Sequence, residues 1–290
     1  MKTALFTGVC TALVTPFLGE AINYPMLNRL LDRQFEAGIK SVVICGTTGE
    51  APTLSDEEKL ELFQRSKAFV GKDMKIIAGT GSNSTNHAVK LSKLAEETGV
   101  DGLLVVSPYY NKATSMGIIQ HYSMICGEVS LPVIVYNVPS RTGLDIPVEV
   151  FEVLSTIPKI AGIKEASQSI TKIAKIRRMC PNLPLWSGND DMVTPVISLG
   201  GSGVISVVSN VVPEKVRLMT EAALAGDFDT AAALQSDLGE LTDALFSEVN
   251  PIPVKAAMKL IGFDCGSCRL PLTTMSTAKE ASLAKALHRA

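Results

Sequence analysis

The chain has 290 residues, 46% of them apolar and only 5% aromatic, which allows one large domain or two small ones built by α/β packing of Val, Ile, Leu and Ala. Its formal net charge of -2, with acids and bases interspersed and no long run of one sign, argues against nucleic acid or an anionic membrane as the main partner. The uncharged run at residues 3–19 is interrupted by Gly8 and Pro16 and is too short to span a bilayer, so it reads as a buried strand of a cytoplasmic protein.

From there the punctuation is regular. Short β-branched runs at 9–15, 41–45, 75–79, 102–106, 133–136, 161–164, 185–187 and 204–207 are strand candidates. Between them lie segments with helical spacing at 24–37, 54–70, 85–98, 114–129, 147–155, 169–179, 190–199 and 214–225. The second of these opens with Ser55-Asp56-Glu57-Glu58, a cap followed by first-turn acids. Alternating strand and helix units predict a parallel sheet with right-handed crossovers that closes into a TIM (β/α)8 barrel over residues 1–225. An open doubly wound sheet is the alternative. Residues 226–290 carry only helical patterns, at 228–249, 254–261 and 273–288, and read as a C-terminal helical extension packed on the barrel.

In such a barrel function gathers at the C-terminal ends of the strands. This sequence places there Gly46-Thr47-Thr48-Gly49-Glu50, Ser107-Pro108-Tyr109-Tyr110-Asn111, the run from Tyr136 to Gly143, Lys164, Ser187-Gly188-Asn189-Asp190 and Gly203-Val204-Ile205-Ser206. Strand alternation puts Ile160, Gly162 and Lys164 on one face and Ala161, Ile163 and Glu165 on the other, so Lys164 shares a face with buried-type residues. An amine buried without a partner favours its neutral, nucleophilic form, which condenses with a carbonyl to a Schiff base. The plain alternative is a strand-end lysine that snorkels to water. Tyr136, Thr48 and Tyr110 are the rim hydroxyls available for proton transfer, although a strand-end tyrosine is also an ordinary half-buried core residue. Arg141 offers a fork suited to a carboxylate, or else is a solvated surface arginine. Backbone N–H groups near Thr47 and Thr48 fit a second carboxylate, that of a keto acid; plain turn chemistry is the competing reading.

Other features carry less. Gly79-Thr80-Gly81 and Gly200-Gly201-Ser202-Gly203 lack the spacing of nucleotide fingerprints and read as tight turns. Cys265-Gly266-Ser267-Cys268 has the spacing of a redox or zinc half-site, but no second pair or nearby histidine completes four ligands. Cys10, Cys45, Cys126 and Cys180 sit in apolar segments as buried thiols. His87, His121 and His288 form no metal-ligand spacing, and the first two lie in helical patterns.

Three of these stretches together, Gly46 to Glu50, Tyr136 to Gly143 and Gly162-Ile163-Lys164-Glu165-Ala166-Ser167, resemble the signatures of the dihydrodipicolinate synthase / N-acetylneuraminate lyase family of class I aldolases. The likeness runs nearly end to end, from Thr11-Ala12-Leu13-Val14-Thr15-Pro16-Phe17 to Asn250-Pro251-Ile252-Pro253-Val254-Lys255. The resemblance implies that Lys164 forms a Schiff base with pyruvate, that Tyr136 transfers protons over it, and that Thr48 links Tyr136 to Tyr110 arriving from a neighbouring subunit. It assigns the pyruvate carboxylate to Thr47 and Thr48, the carboxylate of L-aspartate 4-semialdehyde to Arg141, and backbone contacts near the lysine to Gly188 and Ile205. It implies a homotetramer built from dimers and no metal or organic cofactor. Sister aldolases that split sialic acid or 2-keto-3-deoxy sugar acids are the nearest alternative, disfavoured by Arg141; a non-catalytic barrel that binds keto acids is the alternative from another class. Feedback-inhibited members bind lysine through an acidic side chain where this chain has His87, beside Ala51, Pro52, Asp56, Lys59, Asn83 and Tyr109. An imidazole cannot replace a carboxylate as the partner of an ammonium, so lysine inhibition is expected to be weak or absent.

Overall fold

Eight apolar runs, each buried along nearly its whole length, pair side by side as a closed parallel barrel in the computed structural model, which describes residues 2–290. In chain order they are β1 (Gly8–Ala12), β2 (Ser41–Ile44), β3 (Lys75–Gly79), β4 (Gly102–Val106), β5 (Val133–Asn137), β6 (Ile160–Glu165), β7 (Leu185–Ser187) and β8 (Gly203–Ser206), with β8 closing on β1. The strands read as continuous hydrophobic runs because both faces are covered, which is the rule for parallel sheets. Period-two alternation then divides the core. Cys10, Val43, Ile77, Leu104, Ile134, Trp186 and Ile205 fill the barrel interior, whereas Val42, Ile76, Ala78, Leu103, Val105, Val133, Ile163 and Val204 pack outward.

Helices α1 (Tyr24–Glu36), α2 (Asp56–Val70), α3 (Thr85–Glu97), α4 (Ser115–Glu128), α5 (Val148–Ser155), α6 (Ile170–Met179), α7 (Val193–Ser198) and α8 (Pro213–Leu224) follow the strands in turn. The expected start of α2 is realised as a reciprocal capping box between Ser55 and Glu58. The β1 strand ends before the expected Thr15 because the Val14 N–H donates to the Asn210 side chain at 3.2 Å instead of continuing the ladder. A short hairpin of Phe17–Leu18 against Ala21–Ile22 was not foreseen, its strands being too short to show alternation. At Gly203, with φ +138, a Cβ would lie 1.9 Å from the Gly8 carbonyl oxygen, so this glycine serves the close approach of β8 and β1 in addition to the turn before it.

One register detail overturns part of the strand reading. The β5–β6 ladder shifts between Val133 and Ile134, pairing them with Ile160 and Gly162, and the extra residue turns Ile160 out to the outer core while Gly162 and Lys164 face inward. Gly162 is required there, since a Cβ would meet the Trp186 ring at 2.4 Å.

Beyond α8 the expected helix at 228–249 is two, α9 (Phe228–Asp237) and α10 (Gly239–Leu245), followed by α11 (Ile252–Leu260) and α12 (Thr277–Arg289). This region is fastened to the barrel by charge. Glu50, held in a left-handed conformation with φ 57 just after β2, pairs with Lys255 of α11 at 2.7 Å, and both side chains are almost wholly buried. The Arg269 backbone N–H donates to the other Glu50 oxygen at 2.9 Å, and the Arg269 guanidinium forks onto Glu58 of α2. Removing one partner of a buried pair costs about 3–5 kcal/mol because the other charge is stranded. We therefore expect Lys255→Met to lower urea-unfolding stability by about that amount, and the double change Glu50→Gln with Lys255→Met to lose less than Lys255→Met alone.

His121 of α4 is buried against Thr85, whose hydroxyl lies 3.0 Å from Nδ1, while Nε2 has no partner. Burial pushes its pKa down to about 4. The unfolded chain, near pH 6.5 for this group, then binds a proton that the folded chain refuses, so stability falls as pH drops from about 6.5 towards 4, by on the order of 3 kcal/mol from this residue. The urea midpoint of His121→Gln should show a correspondingly shallower loss across that window.

Candidate active site

The barrel mouth sorts the expected residues by strand. Lys164, near the end of β6, stands in register with Tyr136 of β5 on one side and Trp186 of β7 on the other. Its Nζ lies 4.3 Å from the centre of the Tyr136 ring, and the residue is only 5% exposed. Among the described residues no carboxylate stands within ion-pair distance of it. Asp190, a buried acid close enough for the charge of Lys164 to act on it, has its carboxylate committed elsewhere. It accepts the Ser206 hydroxyl at 2.5 Å and the Val207 N–H at 2.9 Å. Burial raises the Asp190 pKa, while these hydrogen bonds and the charge of Lys164 pull the other way. Burial likewise raises the pKa of Cys10, deeper in the interior, so it remains a neutral thiol.

Lys164 opens into a cavity of about 220 Å³ that also brings together Thr47, Thr48, Tyr136, Arg141 and Gly188. Five of the expected residues, from the ends of β2, β5 and β7, thus converge with the lysine. Gly188 is needed at its position, because a Cβ would stand 2.8 Å from that of Ala166 and 3.1 Å from Cε of Lys164. Two expected residues are not brought in. The Ile205 side chain is fully buried in the barrel interior and does not line the cavity. Tyr110 is 89% exposed, on a loop where it adopts φ 72, and does not line the cavity of its own chain.

The structure adds residues that the sequence reading missed. Asn250, between α10 and α11, donates from Nδ2 to the Thr48 hydroxyl at 3.0 Å, and its carbonyl oxygen accepts from Arg141 at 3.1 Å. Outside the ring, Asn137 donates from Nδ2 to both Glu165 oxygens, at 3.0 and 3.1 Å, and to Asp145 at 2.8 Å. These bonds tie together the ends of β5 and β6, and so Tyr136 and Lys164. Burial raises the pKa of Glu165, opposed by the charge of Lys172 and by bonds from Ser167 and Asn137. The adjacent Asn137 and Glu165 were legible only as outward-facing strand residues; nothing in the spacing linked them.

A second cavity, of about 550 Å³, shares the Thr47, Tyr136 and Arg141 wall and holds Ala51, Pro52, Asp56, Lys59, His87 and Tyr109. Asn83 does not line it; its carbonyl accepts from Asn111 at 2.9 Å. His87 Nε2 sits 2.8 Å from Asp56, which Lys59 also approaches at 3.4 Å. Burial works against ionisation of Asp56, but the His87 hydrogen bond, with the charges of His87 and Lys59, holds its carboxyl below the usual range. Cys265 and Cys268, by contrast, are free thiols pushed by burial to about 12 and about 11.

Comparison with known proteins places this geometry. The profile of the Dihydrodipicolinate synthetase family matches residues 5–290. The 4-hydroxy-tetrahydrodipicolinate synthase of Caldicellulosiruptor saccharolyticus is 49% identical, with 98% of this chain and 96% of that protein aligned. The dihydrodipicolinate synthase of Acinetobacter baumannii, solved in complex with pyruvate, is 38% identical with a TM-score of 0.96, covering 98% of each chain. That of Cyanidioschyzon merolae, solved with lysine bound, is 38% identical with a TM-score of 0.96 over 99% of each chain.

Gly188→Ala is expected to displace the end of the Lys164 chain without unfolding the barrel. Misplacement of a nucleophile by a fraction of an ångström to an ångström costs up to ~10²-fold. Borohydride trapping of pyruvate on the purified variant should slow by roughly tenfold to a hundredfold while its melting temperature stays near that of the parent.

Proposed function

The chain belongs to the dihydrodipicolinate synthetase family, and from that premise we propose that it condenses pyruvate with L-aspartate 4-semialdehyde to 4-hydroxy-tetrahydrodipicolinate, in the diaminopimelate and lysine pathway. The observation that carries the reading is Lys164, buried at the barrel mouth without a carboxylate partner, beside Tyr136 and in one cavity with Arg141.

The chemistry follows from the groups present. Lys164 Nζ adds to the keto carbon of pyruvate, and loss of water leaves the imine. The protonated imine draws electrons from the pyruvate methyl, which gives up a proton to become the enamine carbon. That carbon bonds to the aldehyde carbon of the semialdehyde, whose oxygen takes a proton and becomes a hydroxyl. The amino group of the semialdehyde then attacks the imine carbon and expels Lys164 as the free amine, closing the ring. Each step moves a proton near the imine, and we assign that transfer to the Tyr136 hydroxyl; general acid–base help of this kind contributes ~10²–10⁴-fold. Thr47 and Thr48 receive the pyruvate carboxylate, Arg141 that of the semialdehyde, and Gly188 supplies backbone near the lysine. The covalent imine serves in place of a metal or organic cofactor.

The exposure of Tyr110 fits a residue delivered to a neighbouring subunit, where it extends the Tyr136 and Thr48 hydroxyl chain in a homotetramer of dimers. Among the described residues no helix is long and apolar enough to cross a membrane, in keeping with a cytoplasmic enzyme. The barrel over 1–225 and the helical region over 226–290 act as one catalytic unit.

Three tests follow from the reading. Borohydride reduction with pyruvate should add one reduced keto acid to the peptide holding Lys164, and a coupled assay should show turnover of the semialdehyde; turnover only of sugar-acid substrates would overturn the assignment. Lys164→Ala and Tyr110→Phe should each be strongly impaired, whereas mixed subunits carrying one change apiece should recover activity, because one site of each mixed dimer is intact. L-Lysine should inhibit weakly or not at all in a steady-state assay, since His87 and Lys59 already engage the Asp56 carboxylate; sub-millimolar inhibition would refute this.

A further inference from the structure

We infer that Asn250 is the residue of the C-terminal region that receives the second substrate, its side-chain oxygen accepting a hydrogen bond from a donor on the semialdehyde while its amide holds Thr48 in place. The inference rests on the reaction proposed above.

Asn250 is 7% exposed and lines the cavity that holds Lys164. Three of its polar atoms can be accounted for separately. Nδ2 donates to the Thr48 hydroxyl, and the main-chain oxygen accepts from Arg141, so one residue bridges the two groups assigned to the two substrate carboxylates. A threonine hydroxyl has one proton and two acceptor lone pairs, and an incoming amide N–H occupies an acceptor side. The Thr48 proton is therefore turned away from Asn250. The third atom, Oδ1, is buried and has no hydrogen-bond partner. A buried polar atom left unpaired in a native site calls for an explanation, and here a ligand can provide it.

The chemistry of the two substrates decides which ligand. Pyruvate offers a carboxylate, a carbonyl oxygen and a methyl group: acceptors and an apolar group, but no donor. An amide oxygen is an acceptor only, so it gains nothing from pyruvate. The semialdehyde brings an ammonium, and after the carbon–carbon bond forms its former aldehyde oxygen is a hydroxyl. Either is a donor that Oδ1 can accept. Asn250 thus reads the second substrate and not the first, from a region that lies outside the ring of strands.

Asn250→Ala removes both side-chain functions. Imine trapping with pyruvate alone should persist, with KM for pyruvate raised through the lost hold on Thr48 but by less than the effect on the second substrate, while kcat/KM for the semialdehyde falls by roughly tenfold to a hundredfold, as expected for a donor left without its acceptor. Asn250→Asp keeps an acceptor oxygen at the same place and should recover part of the semialdehyde loss while raising KM for the pyruvate anion. Melting temperatures of both variants separate this from damage to the fold, and if Asn250→Ala melts below the assay temperature the Asp variant decides. Equal losses for both substrates, or unchanged kinetics, would overturn the role. If the parent protein traps no imine with pyruvate, it is the proposed reaction that fails rather than the assignment of Asn250 within it.

Discussion

The ion pair between Glu50 and Lys255 is the constraint on which the mouth of the barrel depends. Glu50 follows directly on Thr47, Thr48 and Gly49, and Lys255 lies five residues beyond Asn250, so the pair fixes the Thr47–Thr48 loop against the segment that joins it to Arg141. With its oxygens taken by Lys255 and by the Arg269 backbone, Glu50 is satisfied although buried, and this permits a charge to sit at the seam of two apolar layers. Without that seam the Asn250 contacts to Thr48 and Arg141 would have no fixed distance to span. Lys255 also lies 4.3 Å from the centre of the Phe17 ring, so the unforeseen hairpin belongs to the same fastening.

Inside the ring the arrangement is one of exclusion. Trp186, Phe6 and Cys10 fill the interior, the two rings stacked with centroids 4.6 Å apart, and Gly162 leaves the room that the indole takes. Little space remains for the Lys164 chain except towards the mouth, past Gly188. The buried acid Asp190 is turned to Ser206 and the Val207 N–H, bonds that hold the start of the segment after β8. A lysine so placed has the ring of Tyr136 as its near neighbour in place of a counter-ion, which is the environment that a Schiff-base amine requires.

What the sequence made legible was what repeats. Short apolar runs at Lys75–Gly79, Gly102–Val106 and Leu185–Ser187 gave those strands to the residue, and period-two alternation set Lys164 inward because the bulge lies before it in the strand. The bulge itself left no local mark, since Ile160 and Ala161 suit either face. Asn250 was hidden for a different reason: its partner Thr48 is 202 residues away, and an asparagine before a proline reads as a turn wherever it stands. The Glu165 and Asn137 bond, between adjacent strands, could be found only once the register of β5 on β6 was known. Tyr110 is a limit of another kind, because a residue assigned to a neighbour's site cannot be placed by either the sequence or the fold of one chain.

The same geometry weighs against a barrel that merely binds keto acids. A binding site gains by preformed, fully satisfied contacts, and a cation meant only to hold a carboxylate needs no shelter from water; Arg141, exposed and anchored by the Asn250 carbonyl, already suits that task. Burying a second cation a short distance away without a counter-ion would cost binding energy and gain nothing. The cost makes sense when the amine is to react, because the bond it forms with the keto acid is stronger than any contact it gives up, and because its near neighbour is the ring of Tyr136 rather than a carboxylate that would hold the ammonium fast. The unpaired Oδ1 of Asn250 and the Nζ of Lys164, set over the Tyr136 ring, are then two ends of one device, each open to a different molecule.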